Sequence, residues 1–287
     1  MAEADVEAAF RETAMHLHGA FTISSDRTKW VNNPQSDQFA NFKPYQLFLA
    51  SKSGLAYPPT CISSSIQEIE HFFHVHGPEI IFKPLNPLIW KSGSSGYIKF
   101  ADRVLLSDFD NHQLFREHAH QFQKYINKSH ELRIIAMGPD LVCAKLNSQD
   151  FQETSVDWRR SEKNPIRPHL EPHVPDAVRN GIDTYLALSG LRYGAFDFLV
   201  DNDGQYFFLE CNVGGQFLFL EQWNSEIPML ERFCQFLIRE SGDSMAWDNE
   251  SECSLDAFMS APDGLEHYGS LVEHHNSLMN YEVGYSE

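Results

Sequence analysis

Two apolar segments late in the chain constrain its fold more than any other feature. Residues 193–200 and 205–212 each have the composition of a strand, and Asp201-Asn-Asp-Gly204 between them is a typical hairpin turn. Three polar side chains interrupt these strands: Asp197, Glu210 and Asn212. Burying an unpaired carboxylate costs several kcal/mol, so we expect these groups to have polar or ionic partners.

The register of this hairpin decides where the three side chains point. A loop with an even number of residues pairs Val200 with Gln205 and places Asp197, Glu210 and Asn212 on one face. A three-residue loop shifts the register by one and moves Asp197 to the opposite face. We expect the first pairing. Three oxygen donors on one face suit Mg²⁺, which prefers one or two carboxylates plus water and phosphate oxygens. The alternative is a solvated sheet face with scattered polar residues.

Two lysines lie where they could bind phosphate groups. Lys43 begins a helix predicted over residues 43–53, and Lys83 ends a short apolar strand at residues 79–83. Each lysine alone is typical of a protein surface, but beside a magnesium site the two would neutralise the phosphates of ATP. The turn at residues 93–96 either covers these phosphates with its backbone N–H groups or simply joins two strands. The sequence has no Walker A and no GxGxxG motif, so P-loop and Rossmann folds are not supported.

The rest of the pattern mixes helices with antiparallel hairpins, which indicates an α+β fold. Helices are predicted over residues 3–18, 66–76, 110–122, 175–189 and 227–237, and strands over residues 122–126, 131–136 and 141–145. The polar, proline-rich residues 148–173 are predicted to be a long functional loop.

The chain is strongly acidic, and its C-terminal part carries much of the negative charge. The formal net charge is −18, and residues 240–287 contain 11 acidic residues and neither Lys nor Arg. Nonspecific binding to nucleic acid needs a basic surface, so we expect no nucleic-acid partner.

The chain shows no signal peptide and no apolar run long enough to cross a membrane, and its five cysteines are scattered, which favours the cytoplasm. We expect a short helical segment at residues 1–28, a core at residues 29–239 and an acidic, aperiodic tail at residues 240–287, for which an ordered role and disorder both stay open.

Motifs in the core resemble those of the ATP-grasp superfamily and, within it, of the microviridin-type peptide maturases, also called graspetide synthetases. The matching stretches run in the family's order: Trp30-Val-Asn32, Lys43 with Gln46, Gly54 through Pro59-Thr60, Phe82-Lys83-Pro84, Gln123-Lys-Tyr-Ile126, Glu131-Leu-Arg133, Ser148-Gln149, Asp157-Trp-Arg159, Phe196-Asp-Phe198 and Glu210-Cys-Asn-Val-Gly-Gly-Gln216. The resemblance implies an ATP-grasp fold, in which two α+β subdomains clasp ATP between antiparallel sheets. Only residues 1–28 precede the match, so most of the family's N-terminal domain is expected to be missing.

The resemblance also implies a role for each matching residue. Lys43 and Lys83 would contact the phosphates of ATP, and Glu131 would bind the ribose hydroxyls. The hinge stretch Gln123, Lys124, Tyr125 and Ile126 would hold adenine through its backbone. Asp197, Glu210 and Asn212 would bind Mg²⁺. Arg133 and Arg159 would act in catalysis by stabilising a carboxylate, its acyl phosphate or the tetrahedral intermediate.

The function implied is an ATP-dependent ligase that forms ester or amide cross-links within a ribosomally made precursor peptide with an acidic core. A homodimer is left open. Two alternatives remain: an ATP-grasp ligase that joins a carboxylate to a free amino acid or small amine, and a non-catalytic peptide-binding relative. Fold resemblance alone does not decide between them.

Overall fold

A computed structural model describes residues 3–24, 27–85, 89–92, 95–98, 101–109, 118–160, 166–242, 253–278 and 282–285. Within these residues helices and mostly antiparallel strands alternate irregularly, which confirms the α+β prediction. No helix in the described ranges is long and apolar enough to cross a membrane.

The larger sheet has five antiparallel strands and forms the centre of the molecule. Its order is β11 (Tyr206–Asn212), β10 (Tyr193–Asp201), β7 (Lys128–Met137), β8 (Asp140–Leu146) and β9 (His169–Leu170). Most residues of β7 and β10 are buried. Their β-branched and aromatic side chains therefore pack on both faces of the sheet.

Helices cover both faces of this sheet. On one face, α3 (Lys43–Lys52) and α5 (Asp176–Ser189) enclose a core built around Tyr185, Phe196 and Phe208. On the other face lie α6 (Leu218–Trp223) and α7 (Met229–Ser241). Odd-numbered side chains of β7 share this second face because side chains alternate along a strand. Ile135 packs beneath the helices, whereas Glu131 and Arg133, farther toward the start of β7, line or border an open cleft.

The second sheet has four antiparallel strands, in the order β1 (Thr60–Ser63), β6 (His120–Lys124), β2 (Ile80–Lys83) and β5 (Asp102–Val104). Helix α4 (Ile66–His76) covers it with an apolar face that includes Ile69 and Phe73. Ser65 caps the start of α4 by accepting a hydrogen bond from the Glu68 N–H, and Gly77 at φ 81° ends it.

The helix predicted over residues 110–122 is wrong at residues 120–122, which belong to strand β6. The predicted helix over residues 110–122 ends in β6, because residues 120–122 pair with β1 on one side and β2 on the other. Two neighbouring strands satisfy the backbone hydrogen bonds there, and this pairing overrides the local helical pattern. Residues 110–117 lie outside the described part of the chain.

The N-terminal and C-terminal segments each contain helices. Helix α1 (Glu3–Ser24) matches the predicted N-terminal helix, although Phe10 on its apolar face is 73% exposed. Helix α2 (Pro34–Ala40) follows it. In the acidic tail, which was expected to be aperiodic, the described residues form α8 (Leu255–Ser260), α9 (Pro262–Leu278) and β12 (Glu282–Tyr285). Strand β12 pairs with the hairpin of β3 (Ile89–Ser92) and β4 (Ser95–Ile98), whose turn at residues 93–94 is not described.

Candidate active site

The hairpin of β10 and β11 brings its three polar side chains together by a register that differs from the prediction. Val200 pairs with Tyr206 rather than with Gln205. The Asp201 N–H donates to the Gln205 carbonyl at 3.0 Å, which leaves a three-residue loop, residues 202–204, that ends at Gly204 with φ 78°. That shift alone would pair Asp197 with Leu209 and put it on the face of the hairpin opposite to Glu210 and Asn212. A β-bulge at Leu209 restores the face, so that Asp197 pairs directly with Glu210.

Asp197, Glu210 and Asn212 form one hydrogen-bonded group. The Asn212 Nδ2 donates to Asp197 Oδ2 at 3.0 Å and to Glu210 Oε1 at 3.2 Å. Two carboxylates and an amide whose oxygen could turn toward a cation held between them are hard donors of the kind that Mg²⁺ selects. The residues present therefore have the chemistry to hold Mg²⁺, and their role as its ligands stays a prediction.

Each of the two carboxylates already has a cationic partner. Lys43 Nζ lies 2.5 Å from Glu210 Oε2, and Arg133 Nη1 donates to both oxygens of Asp197 at 2.8 Å. Burial alone would raise the pKa of Glu210, but Lys43, with Arg159 and Lys83 nearby, holds this pKa well below its usual range. Burial raises the pKa of Asp197, and Arg133 opposes that rise. Glu210 and Asp197 are therefore each paired with a separate cationic side chain.

Gln46 explains how Lys43 is positioned. Gln46 lies in α3 one turn after Lys43 and is buried. Its Nε2 donates to the Cys211 carbonyl at 2.7 Å, and its Oε1 accepts from the Cys211 N–H at 3.1 Å. Cys211 lies between Glu210 and Asn212 and faces the core, as its alternation predicted. Gln46 thus fixes the start of α3 against the strand that carries the acids.

A glycine turn and a carbonyl support Arg133. Its Nη2 donates to the Gln216 carbonyl at 3.0 Å. A Cβ on Gly215 would come within 2.9 Å of this same nitrogen and within 2.7 Å of the Ala195 Cβ. The guanidinium is therefore confined between Asp197 and the turn at Gly215. Its buried Nε has no hydrogen-bond partner among the described residues.

Lys83 enters the cleft from the smaller sheet. It has no hydrogen bond or ion pair within the described ranges, although it lines the same cleft as Lys43 and Glu210. Burial lowers the pKa of Lys83, and the negative charges of Glu210 and Asp157 limit that decrease. An ammonium group that is half-buried and has no partner among the described residues can receive an anionic ligand.

Asp157 belongs to the site, although no role was predicted for it. It is buried, and its two oxygens accept from Arg159 Nε at 2.8 Å and Nη2 at 2.7 Å. Burial would raise the pKa of Asp157, but these bonds hold it below its usual range, and the pKa of Arg159 is raised in turn. The Arg159 side chain is still 47% exposed, so it can also reach a ligand.

Glu131 forms an ion pair with Lys128, a residue for which no role was predicted. Lys128 Nζ donates to Glu131 Oε1 at 2.7 Å and to the Val156 carbonyl at 2.9 Å, with both side chains of the pair buried. Burial raises the pKa of Glu131, and Lys128 opposes the rise. Lys128 thus links the predicted ribose-binding carboxylate to the loop that carries Asp157. Side chains three residues apart on a regular strand point to opposite faces, so the local pattern did not predict this pair; an irregularity in the pairing of β7 with β10 between Lys128 and His130 allows it.

The predicted hinge residues lie beside the cleft rather than on its lining. The Gln123 Nε2 donates to Thr60 Oγ1 at 3.0 Å. The backbone N–H groups of Lys124 and Tyr125 donate to the carbonyls of Pro59 and Glu79, both at 2.9 Å. Gln121, two residues earlier, lines the cleft instead. The adenine role of residues 123–126, Ile126 included, stays a prediction.

These groups surround a single cleft between the two antiparallel sheets. It measures about 930 Å³ including the open space at its mouth. Its lining side chains come from both sheets and from the loop at residues 156–159: Lys43, Lys83, Pro84, Ala101, Gln121, Glu131, Val156, Asp157, Trp158, Arg159, Asp197, Leu209, Glu210 and Asn212. The lining combines three cationic side chains, Lys43, Lys83 and Arg159, with four carboxylates, as a site for a phosphate ligand with a bound cation requires.

This architecture, two antiparallel sheets enclosing a cleft with two lysines and a carboxylate–amide group, is the ATP-grasp fold. Among solved structures the chain resembles an ATP-grasp ligase from Chryseobacterium gregarium that is associated with ribosomal peptides and was solved with ADP and a leader and core peptide. The identity is 23%, the TM-score is 0.74, and the match covers 88% of this chain and 74% of that one.

Two macrocyclases from Microcystis aeruginosa MRC are also similar. MdnC, solved with precursor peptide MdnA, is 25% identical with a TM-score of 0.70, and MdnB is 27% identical with a TM-score of 0.65. Each match covers 83% of this chain and 72% of the macrocyclase. No family model and no curated protein matches the chain. The structural similarity therefore confirms the predicted resemblance to graspetide-type enzymes.

Proposed function

We propose that this protein is an ATP-dependent ligase that activates carboxylates and forms ester or amide cross-links within a ribosomally made precursor peptide. The observation that carries the proposal is the convergence of Lys43, Lys83, Asp197 and Glu210 on one cleft between two sheets. The macrocyclase MdnC and the Chryseobacterium ligase, which have the same fold, were both solved with peptides of this kind.

The chemistry requires activation because a carboxylate does not react with an alcohol or amine at neutral pH. An oxygen of the substrate carboxylate attacks the γ-phosphorus of ATP, which releases ADP and leaves an acyl phosphate. A hydroxyl or amine of the same peptide then attacks the acyl carbon and loses its proton, and phosphate leaves. Each cross-link thus removes one water from the peptide, and the enzyme contributes positioning and charge neutralisation.

Lys43 and Lys83 would neutralise the phosphates from opposite sides of the cleft, since they belong to α3 and β2. Asp197, Glu210 and Asn212 would hold Mg²⁺, which when bound screens phosphate charge and acts as a Lewis acid. Glu131, held by Lys128, would accept hydrogen bonds from the ribose hydroxyls.

The two predicted catalytic arginines differ in exposure. The Arg133 side chain is 7% exposed and bonded to Asp197, whereas Arg159 is 47% exposed at the cleft. We assign the contact with the peptide carboxylate and the developing oxyanion to Arg159, because its fork remains accessible. Arg133 would stabilise the same charge from behind the metal ligands.

The acidic character of the peptide is a further part of the proposal. An enzyme of net charge −18 needs local cations to bind an acidic segment. Arg159 supplies one at the cleft, and Arg167 is an exposed residue farther along the same loop. Arg160 already pairs with Asp102 at 2.7 Å and contributes less. We place the reaction in the cytoplasm, where precursor peptides are synthesised and where the cysteines stay as free thiols.

Mass spectrometry of the peptide tests this function. A candidate precursor encoded beside the gene is incubated with the protein, ATP and Mg²⁺. We expect the loss of one water for each cross-link, with one ADP released per water lost. A mass gain equal to an added amino acid, or ADP release without a change in peptide mass, would contradict the proposal.

A further inference from the structure

Two cysteines outside the cleft lie in contact. Cys234 belongs to α7, and Cys253 lies two residues before α8, in the acidic tail. The two thiols are joined by a hydrogen bond, and both side chains are partly exposed. Cys143 and Cys211, by contrast, are buried in the core, and Cys61 is partly exposed.

Independent contacts place these segments side by side. Glu221 of α6 is buried, and its Oε2 accepts from the Leu230 N–H at 2.7 Å, at the start of α7. Its Oε1 accepts from the Leu255 N–H at 2.6 Å, at the start of α8. A single carboxylate therefore satisfies the first turns of two helices. Cys234 follows Leu230 by one helical turn and Cys253 precedes Leu255 by two residues, so both thiols extend from this junction.

The same junction is connected to the wall of the cleft. Phe219 and Trp223 lie one turn apart on α6, and Phe219 stacks on Trp158 with ring centroids 5.5 Å apart. Trp223 meets Trp158 edge to face at 6.4 Å. Trp158 lines the cleft beside Arg159. Any bond that fixes the tail against α7 therefore also restrains the helix that supports Trp158.

We propose that Cys234 and Cys253 form a redox-active modification site, at which a disulfide links α7 to the acidic tail and restrains α6. The oxidant is a low-molecular-weight disulfide such as oxidised glutathione. One cysteine thiolate attacks it and forms a mixed disulfide, releasing one glutathione thiolate. The second cysteine thiolate attacks the protein sulfur of the mixed disulfide and releases the second glutathione thiolate. The two protons lost by the cysteines end on the two glutathione molecules.

The surrounding charges predict how the reaction depends on pH. Burial raises the pKa of Cys253 to about 11, and the neighbouring Cys234, Glu231 and Glu221 add to this. Only the thiolate reacts, so below this pKa the rate increases by about tenfold per pH unit. In a reducing cytoplasm the pair is held as thiols, and the link forms only when the disulfide pool becomes oxidised.

Peptide mapping under non-reducing conditions tests the site. The full-length protein is treated with oxidised glutathione at about pH 10, where about one tenth of a thiol with a pKa of about 11 is ionised. We expect a linked peptide pair containing Cys234 and Cys253, whereas Cys61, which is partly exposed with no cysteine partner in the described chain, becomes a glutathione adduct. Recovery of Cys234 and Cys253 only as separate adducts or as free thiols would overturn the proposal.

Thermal unfolding and proteolysis test the effect of the link. Oxidation should raise the unfolding midpoint of the wild-type protein and slow cleavage near residues 253–260, and dithiothreitol should reverse both changes. Cys253→Ser keeps the side-chain size and should show neither change. An equal response of wild type and Cys253→Ser would show that the stabilisation arises elsewhere and would overturn the proposed role of the link.

Discussion

Arg133 and Asp197 face each other on neighbouring strands and are joined by two hydrogen bonds of 2.8 Å. Their side chains are only 7% and 13% exposed. A carboxylate in this position cannot be treated as an isolated metal ligand, since its charge is already balanced by a buried guanidinium. Metal affinity and arginine position are therefore coupled, and a change at one residue should be detected at the other.

The turn beside Arg133 gives the sharpest test of this coupling. In Gly215→Ala the new methyl group would meet the Arg133 Nη2 at 2.9 Å and the Ala195 Cβ at 2.7 Å, so the guanidinium must move. We expect ATP turnover to fall by about 10²-fold, the size of effect seen when one positioned charge-stabilising donor is lost. Steady-state ADP release with peptide present measures it.

Gly214→Ala is the matched control, because a Cβ at Gly214 meets no atom of the described residues within 4 Å. It should retain wild-type turnover. If both variants lose activity equally, the loss comes from turn flexibility, and the assigned position of Arg133 is wrong.

Glu210 tests the metal assignment. Glu210→Gln keeps the size of the side chain but removes the charge that Lys43 and Mg²⁺ would share. We expect at least a 10²-fold loss of turnover and a higher Mg²⁺ concentration at half-maximal rate, because a hard cation loses a charged ligand. A Mg²⁺ titration of ADP release checks both.

A remote ion pair supplies the control for this substitution. Glu240 also pairs with a cation, Arg192 at 2.6 Å, but away from the cleft. Glu240→Gln should leave the Mg²⁺ dependence unchanged. Unaltered Mg²⁺ dependence in Glu210→Gln would remove Glu210 from the metal site.

Lys128 is predicted to position Glu131. In Lys128→Met the Glu131 carboxylate stays buried without its partner, which costs about 3–5 kcal/mol. We expect a lower thermal unfolding midpoint and a raised KM for ATP with a smaller change in kcat. Lys128→Arg should recover part of the ATP affinity.

The double variant Lys128→Met with Glu131→Gln separates stability from function. Because it removes both charges, its unfolding midpoint should lie above that of Lys128→Met while its ATP affinity stays poor. Full recovery of ATP affinity in the double variant would show that Glu131 does not bind the nucleotide.

Lys83 predicts a dependence of ATP binding on pH. Burial lowers the pKa of Lys83, so with rising pH its ammonium is lost before that of an ordinary lysine. Phosphate binding needs the charged form, and the KM for ATP should therefore rise at alkaline pH. Lys83→Arg keeps its charge and should flatten this rise. An identical alkaline rise in both proteins would assign it to another group.

Local sequence accounts for much of the fold. Helix α4 begins at Ser65 and ends at Gly77 as its capping signals predict, and α5 ends at Gly190 in the left-handed conformation. These boundaries depend on backbone groups within a few residues, so a short stretch contains the information. The same holds for the apolar strands β7 and β10.

Interactions between distant segments account for the features that the local sequence did not predict. Residues 120–122 carry a helical pattern but become strand because β1 and β2 lie on either side. Lys128 and Asp157 received no predicted role because their partners and burial depend on how a loop folds over a sheet. The hinge stretch matches its motif in order, yet only the packed structure shows that two of its N–H groups already bond to Pro59 and Glu79.

By itself, the sequence determined which chemical groups this protein has available: two lysines, two arginines, and two acids with an asparagine on adjacent apolar strands. Only the tertiary structure decided how they combine. The bulge at Leu209 returns Asp197 to the face of Glu210, and β7 then places Arg133 against Asp197. The reason is physical, since strand identity follows from local composition, whereas register and charge pairing are set by the strands and helices that pack alongside.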